Sequence, residues 1–281
     1  MSTGTFRFNL GDFECVSVSD GTKDYPLKNF FANVSTNQIQ EALRQHSLPI
    51  DYITTPYTYL YVDTGEHRVL VDMGAGTLAS TTGRMVPNMV GAGIDPADID
   101  SVLITHAHPD HIGGTLNDEG KPIYANARYY IWKDEWDFWA SEAAYAKAPE
   151  RFVTLARENL EPIQDRLTPL DRPGEVVPGI SAIPAPGHTP GHMVVSVASG
   201  DERLLYIGDT VLHPLHLEYP DWLPIYDILP EKAAESKGRI FDLAAAEKAL
   251  VMGQHFHPFP SLGYVVKRGD GWRWRPIEMP G

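Results

Sequence analysis

Residues 105–114 read Thr-His-Ala-His-Pro-Asp-His-Ile-Gly-Gly and have the form H-x-H-x-D-H at their centre. The candidate ligands in this segment are His106, His108, Asp110 and His111. Imidazole and carboxylate groups are the donors that borderline divalent metals such as zinc accept. We therefore predict a metal site here. The alternative is a histidine-rich surface turn, which the apolar, strand-like stretch 101–105 disfavours.

Three further segments carry histidine or aspartate directly after strand-like stretches. They are His188 in Pro-Gly-His-Thr-Pro-Gly-His, Asp209 in Gly-Asp-Thr, and the pair His255 and His257 in His-Phe-His-Pro. The strands of an α/β sheet present such loop ends on one rim, so we expect these side chains to meet the first motif.

Strand and helix patterns alternate along the chain and predict an α/β fold. Helical patterns occur at 36–46, where Ser35 is a plausible N-cap, within 133–160 and at 241–250. Residues 122–125 predict a short strand. Residues 211–238 have no clear period, are rich in proline and aromatic side chains, and predict a long lid-like loop. We expect residues 1–281 to form a single domain, with 1–56 supplying N-terminal strands and a helix at the pocket edge.

Composition narrows the possible partners. The formal net charge of −14 argues against nucleic acid and against an anionic membrane surface, since both require a basic footprint. Cys15 is the only cysteine, which excludes an internal disulfide and a thiolate metal site. The first residues show neither a basic region nor an apolar leader, so we expect a cytoplasmic protein. A homodimer is possible, although the sequence does not reveal the oligomeric state.

The motifs together resemble those of the metallo-β-lactamase superfamily of hydrolases. The segment Thr105 to His111 matches the hallmark T-H-x-H-x-D-H. Asp72 in "LVDMGAG" precedes this segment, and His188 in G-H-T-P-G-H and Asp209 in G-D-T follow it, in an order similar to that of the family. The resemblance spans roughly residues 57 to 267 and implies a four-layer αββα sandwich, with metals at the edge between the two sheets.

The resemblance also implies roles for individual residues. His106, His108 and His188 would hold one ion. Asp110, His111 and His255 would hold a second ion, and Asp209 would bridge the two. The chain departs from the family pattern by offering both His255 and His257 before Phe-Pro. We favour His255, because Pro258 restricts the backbone of His257.

The expected chemistry is hydrolysis by a hydroxide held between two divalent ions, which lie about 3.5–4 Å apart in such sites. Asp110 and Asp209 are the candidate catalytic residues. Asp110 could also move a proton to the leaving group, and Asp72 is either an outer partner of a ligand imidazole or a turn former. We expect Zn²⁺, although these donors also accept Mn, Fe or Co.

The segments "HFHPFPSLGYV" and "HPLHLEYPDW" look most like the branch that contains acyl-homoserine lactonases and methyl-parathion-type hydrolases. We therefore expect a small neutral or apolar ester or lactone as substrate, with possible activity on phosphotriesters. The lid-like loop and the N-terminal segment supply aromatic and apolar side chains that suit an apolar acyl or aryl group. The alternative is that these side chains only close the core beneath the loop. The candidate pocket residues are Phe30, Phe31, Leu212, His213, Leu215, Tyr219, Trp222, Tyr226 and His257.

Two other functions remain open from the sequence. One is thioester hydrolysis of the glyoxalase II kind, which the absence of a basic helical C-terminal segment makes less favourable. The other is a metal-binding metabolite sensor with little turnover. Substitution of the ligand histidines distinguishes an enzyme from a sensor, because a sensor shows no turnover even before substitution.

Overall fold

The structure is a computed structural model that describes residues 4–279. Two seven-stranded sheets form its centre, and each is built from consecutive strands. The first sheet contains β1 (Thr5–Leu10), β2 (Phe13–Pro26), β3 (Tyr52–Asp63), β4 (Arg68–Val71), β5 (Ser101–Ile104), β6 (Arg128–Trp132) and β7 (Leu167–Leu170). The second contains β8 (Gly174–Val177), β9 (Ile180–Pro184), β10 (Met193–Ser199), β11 (Glu202–Tyr206), β12 (Leu250–Met252), β13 (Leu262–Arg268) and β14 (Gly271–Pro276).

Eight α-helices are described within 4–279. They are α1 (Leu27–Phe30), α2 (Thr36–Gln45), α3 (Met85–Gly91), α4 (Pro109–Ile112), α5 (Lys133–Ala140), α6 (Glu150–Leu160), α7 (Leu215–Glu218) and α8 (Pro230–Glu247). Ser35 caps α2 as the sequence predicts, since its hydroxyl accepts a hydrogen bond from the backbone N–H of Gln38 in a capping box. None of the helices in this part of the chain is long and apolar enough to span a bilayer.

The fold has four layers, two sheets between two layers of helices, and an apolar cluster fills each of the three interfaces between them. Side chains such as Val62 and Leu103 of the first sheet pack against Val195 and Leu204 of the second. Helices α3, α5 and α6 cover the outer face of the first sheet. Helix α8 covers the outer face of the second, where Phe241 is fully buried. This arrangement confirms the predicted αββα sandwich.

The region predicted as a lid-like loop, 211–238, is only partly irregular. It contains α7, and α8 begins at Pro230, well before the predicted start at 241. The sequence pattern misses these turns because polar side chains occupy buried positions of the helix. Lys237, for example, is buried and donates to the carbonyl of Pro220 at 2.8 Å.

Two further boundaries differ from prediction. Leu250 lies in β12 and not in the preceding helix, because the chain leaves α8 at Lys248 with a left-handed backbone. Residues 122–125 do not form a strand; within them only Pro122 forms an isolated bridge, to Leu116. The apolar Tyr124 of this segment is buried in the outer helical layer instead.

Candidate metal centre

Four strand ends meet at one edge of the sandwich. The loop after β5 carries His106 and His108, and α4 follows directly with Asp110 and His111. The loops after β9, β11 and β12 carry His188, Asp209 and His255. The backbone N–H of Met193 donates to the carbonyl of Thr105 at 3.0 Å and so joins the first of these loops to the second sheet.

The first group of side chains comprises His106, His108, His188 and Asp209, and one ligand atom from each lies within 4.8 Å of the others. His108 Nδ1 lies 3.1 Å from His106 Nε2 and 2.9 Å from His188 Nε2. Asp209 Oδ2 lies 3.2 Å from His188 Nε2. All four residues are buried.

The second group comprises Asp110, His111, Asp209 and His255, within the same 4.8 Å limit. Asp209 Oδ1 lies 3.1 Å from His255 Nε2 and 3.4 Å from His111 Nε2. Asp110 Oδ2 lies 3.4 Å from His255 Nε2. Asp209 therefore turns one carboxylate oxygen to each group.

These donors fit a pair of cations. His108 Nδ1 faces two other imidazole nitrogens, but it can carry only one proton. His111 Nε2 and Asp209 Oδ1 are buried and have no hydrogen-bond partner. Buried polar atoms without partners are costly, and a metal ion at each group would satisfy them. The residues present thus suit two divalent metals.

Outer partners hold the imidazoles of the first motif in place. Asp72 accepts hydrogen bonds from the backbone N–H and the hydroxyl of Thr105, both at 2.7 Å. The same carboxylate accepts from His111 Nδ1 at 2.7 Å. The structure shows the predicted contact of Asp72 with the imidazole of His111, a candidate ligand, and it also places Asp72 in a turn with a positive φ of 61°.

Two other histidines of the ligand groups, His188 and His255, also donate through Nδ1. His188 donates to Asp227 Oδ1 at 2.9 Å, and His255 donates to the carbonyl of Pro56 at 3.0 Å. These bonds leave Nε2 of both rings free to face Asp209. Asp227 lies in the aperiodic segment 211–238 and was not singled out from the sequence, because its distance from His188 along the chain gives no local pattern.

Glu135 is a second residue that sequence reasoning missed. It is fully buried at the start of α5 and joins the two histidine-bearing loops. Its carboxylate accepts from the backbone N–H of Ala107 at 2.9 Å and of Gly191 at 3.0 Å. The Thr189 hydroxyl and the Trp139 indole donate to it as well, both at 2.6 Å. Burial raises the pKa of Glu135, and these bonds offset part of the rise.

Carboxylates next to the imidazoles set the charges at the site. Burial alone would lower the pKa of His188, but Asp209 and Asp227 outweigh it and raise this pKa to about 9. Burial and the neighbouring His111 instead hold the pKa of His106 well below its usual range. Burial disfavours the charged form of Asp209, yet His255 and His111 outweigh that effect and keep its pKa well below its usual value. The centre therefore attracts positive charge.

The structure separates the two C-terminal histidines. His255 is buried beside Asp110 and Asp209. His257 lies outside both groups, and its Nε2 contacts the carbonyl of Thr54. His192, four residues after His188, lies beneath the centre, where its Nε2 accepts a hydrogen bond from the backbone N–H of Asp209 at 2.9 Å.

A cavity opens onto both groups of side chains. Three of the predicted pocket residues, Phe30, Leu212 and Tyr226, line it together with His108, Asp110, His188, Asp209 and His255. Further lining side chains that the sequence did not indicate are Lys23, Tyr25, Thr55, Tyr57, Leu78, Arg151 and Phe152. Several of these come from β2 and β3, where strand register decides which side chains face the cavity.

The other predicted pocket residues lie elsewhere. Phe31, Leu215, Tyr219 and Trp222 belong to an apolar cluster that closes the core beneath residues 212–226. The ring of Phe31 packs against His213 and Trp222. His213 and His257 line a separate cavity of about 230 Å³ with Leu43 and Ile53. The expectation that these six side chains line the ligand-bearing pocket is therefore corrected.

Comparison with known proteins agrees with this geometry. The sequence model of the Metallo-beta-lactamase superfamily matches residues 52–255. The chain belongs to this superfamily. Its fold matches AidC, a dizinc quorum-quenching lactonase in complex with a product, N-hexnoyl-L-homoserine. The TM-score is 0.93 at 29% identity, and the match covers 99% of both chains.

Two further proteins resemble this chain. The hydrolase AbOPH matches with a TM-score of 0.92 and 27% identity over 100% of both chains. An N-acyl homoserine lactonase from Bacillus cereus is 23% identical over 229 residues, which are 74% of this chain and 84% of that protein. The metallo-beta-lactamase fold predicted from the sequence is thus confirmed.

Proposed function

We propose that the protein is a metal-dependent hydrolase that opens a small ester or lactone. The observation that carries this proposal is the position of Asp209, which presents one oxygen to each of two buried groups of ligands. We assign His106, His108 and His188 to one ion and Asp110, His111 and His255 to the other, with Asp209 shared. Two adjacent divalent metals supply a nucleophilic hydroxide near neutral pH and polarise a carbonyl.

The surrounding residues support this chemistry. Asp110 is partly exposed at the cavity, whereas Asp209 is buried, so Asp110 Oδ2 is placed to pass a proton to a departing alkoxide. Asp72, Asp227 and the carbonyl of Pro56 orient three of the imidazoles. Aromatic rings around the cavity exclude water and suit an acyl or aryl group.

We propose acyl-homoserine lactones or related lactones and esters as the substrate class, and zinc as the metal. AidC and the Bacillus cereus protein support the lactone, because both are lactonases at 29% and 23% identity. Two observations support zinc: AidC is a dizinc enzyme, and the candidate ligands of this protein are all histidine nitrogens and aspartate oxygens. The shared core between the two sheets supports our assignment of residues 1–281 to one domain.

A substrate panel on metal-reconstituted protein tests this function. The panel contains lactones, aryl esters, S-lactoylglutathione, a phosphotriester and a cephalosporin. We expect turnover of lactones or esters and its loss in the double variant H106A/H108A. Turnover of the glutathione thioester alone, or of nothing in the panel, would contradict the proposal. The double variant H46A/H67A is the matched control, since both of these histidines lie outside the two ligand groups.

A further inference from the structure

Strands β2 and β3 form one wall of the active-site cavity. Lys23 of β2 lies directly opposite Thr55 of β3 in the antiparallel register. Side chains opposite each other in such a pair lie on the same face, with Cβ atoms about 4.5–5.5 Å apart. Both Lys23 and Thr55 line the cavity that contains the metal ligands. The pair therefore forms a polar patch in an otherwise aromatic wall.

The hydroxyl of Thr55 has no partner. Thr55 is 2% exposed, and no group between residues 4 and 279 lies within hydrogen-bonding distance of its Oγ1. A buried hydroxyl without a partner costs stability, so its retention beside a binding cavity points to a ligand that satisfies it. The neighbouring Thr54, on the opposite face of β3, differs in this respect because its hydroxyl donates to Asp24 at 2.6 Å.

The ammonium group of Lys23 is also unpaired. Throughout the described chain no carboxylate lies within ion-pair distance of it, and it packs over the ring of Tyr25 at 4.7 Å from the centroid. The aromatic contact fixes the lysine stem against the cavity wall and leaves the charge available. The two carboxylates of the cavity, Asp110 and Asp209, belong to the ligand groups and do not neutralise Lys23.

The patch has a fixed position relative to the metal centre. Pro56, the residue after Thr55, accepts the Nδ1–H of His255 through its carbonyl at 3.0 Å. The ring of Tyr57 then packs edge-on against His255, with centroids 5.3 Å apart. A substrate whose reacting carbonyl lies at the ligands can therefore place a second polar group at Lys23 and Thr55.

We propose that Lys23 and Thr55 form a subsite for an anionic substituent, a carboxylate, carried by the substrate away from the bond that is cleaved. A carboxylate oxygen accepts from the Thr55 hydroxyl while the Lys23 ammonium balances its charge. This inference rests on the proposed ester or lactone hydrolysis. Within the proposed class of lactones and esters it favours members that carry a carboxylate, in place of the neutral or apolar substrate expected from the sequence and of an unsubstituted acyl-homoserine lactone.

Matched ester pairs test the subsite. The first pair is 4-acetoxybenzoate and its methyl ester; the second is monophenyl succinate and its methyl ester. Both place the carboxylate away from the phenyl ester, on opposite sides of it. We expect metal-loaded protein to prefer the anionic member of at least one pair about tenfold in kcat/KM, as is typical of a hydrogen bond to a charged group.

Variants then test whether the preference for the anionic ester depends on Lys23 and Thr55. K23M and T55V are expected to bring the ratio of anionic to neutral kcat/KM close to one, whereas K23R and T55S retain it. T54V and K121M are the controls, because Thr54 faces away from the cavity and Lys121 is an exposed residue paired with Glu119. The ratio is insensitive to partial loss of folded protein, which lowers both rates equally.

The outcomes separate this inference from the proposed function. Ester hydrolysis without any preference for the anion, or with a preference that K23M and T55V retain, overturns the subsite and leaves the hydrolase intact. If no ester is hydrolysed, the proposed function fails unless a lactone of the substrate panel is turned over. Calorimetric binding of benzoate against benzamide then decides the subsite: weaker benzoate binding by K23M and T55V supports it, and equal binding overturns it.

Discussion

Asp227 Oδ1 accepts the Nδ1–H of His188 at 2.9 Å, and the residues that follow Asp227 pair with the same loop through the backbone. The N–H of Ile228 donates to the carbonyl of His188 at 3.0 Å, and that of Leu229 donates to Gly187 at 2.8 Å. The segment that contains Tyr226 of the cavity lining thus also orients His188, a candidate metal ligand.

We expect D227A to weaken metal binding at the His106, His108 and His188 group by about 10- to 100-fold, because the imidazole of His188 loses the carboxylate that orients it. D227N retains an acceptor and is expected to have a smaller effect. Competition against a chromophoric chelator measures the affinity. D221N is the control, since Asp221 contacts its neighbours through its backbone carbonyl. Equal affinities in D227A and wild type would show that Asp227 has no such role.

His255 and His257 offer a direct test of the second ligand group. H255A is expected to reduce the bound metal from about two equivalents to about one, because Asp110, His111 and Asp209 alone leave that group one donor short of a closed set. H257A is expected to retain both equivalents, since its ring contacts Thr54. Elemental analysis of dialysed protein measures the ratio. Metal loss in H257A alone would reverse the assignment.

Metal removal should lower the melting temperature. In the folded state cations stabilise the buried carboxylate of Asp209, the partly exposed carboxylate of Asp110 and the nitrogen of His111 that has no hydrogen-bond partner. A ligand present at about 100 times its Kd contributes about 2.7 kcal/mol. Calorimetric scans with and without chelator measure the difference, which should be largely absent in D209A. If the metal is shown to be lost and the melting temperature does not change, metal binding does not stabilise the folded state.

Glu135 is expected to matter for stability as well as for the site. Its oxygens face four donors, so E135Q places an amide N–H₂ against groups that also donate. We expect a loss of about 2 kcal/mol in the free energy of unfolding, typical of a buried donor left unsatisfied. Urea titration measures it, with E158Q on the exposed side of α6 as control. Equal midpoints for the two variants would refute this expectation.

The candidate metal ligands could be predicted from the sequence because each follows a strand closely along the chain, so that residue type and spacing form a local pattern. The residues that line the cavity wall could not be predicted in this way. Whether Lys23 and Thr55 face the ligands depends on how β2 and β3 are registered, and a shift by one residue would reverse it. Glu135 and Asp227 contact loops that are distant in sequence, so no pattern around them signals their role. The early start of α8 was hidden because Ser236 and Lys237 occupy buried positions.

Each sheet is assembled from one contiguous half of the chain, and the break between β7 and β8 falls at 171–173. The first half contributes four of the ligands and the second contributes three. A protein severed at this connection would yield two fragments, each with a complete sheet and an incomplete set of donors. Cation uptake by a mixture of the fragments would then show that the two halves had reassociated, because neither half alone holds a complete set of donors.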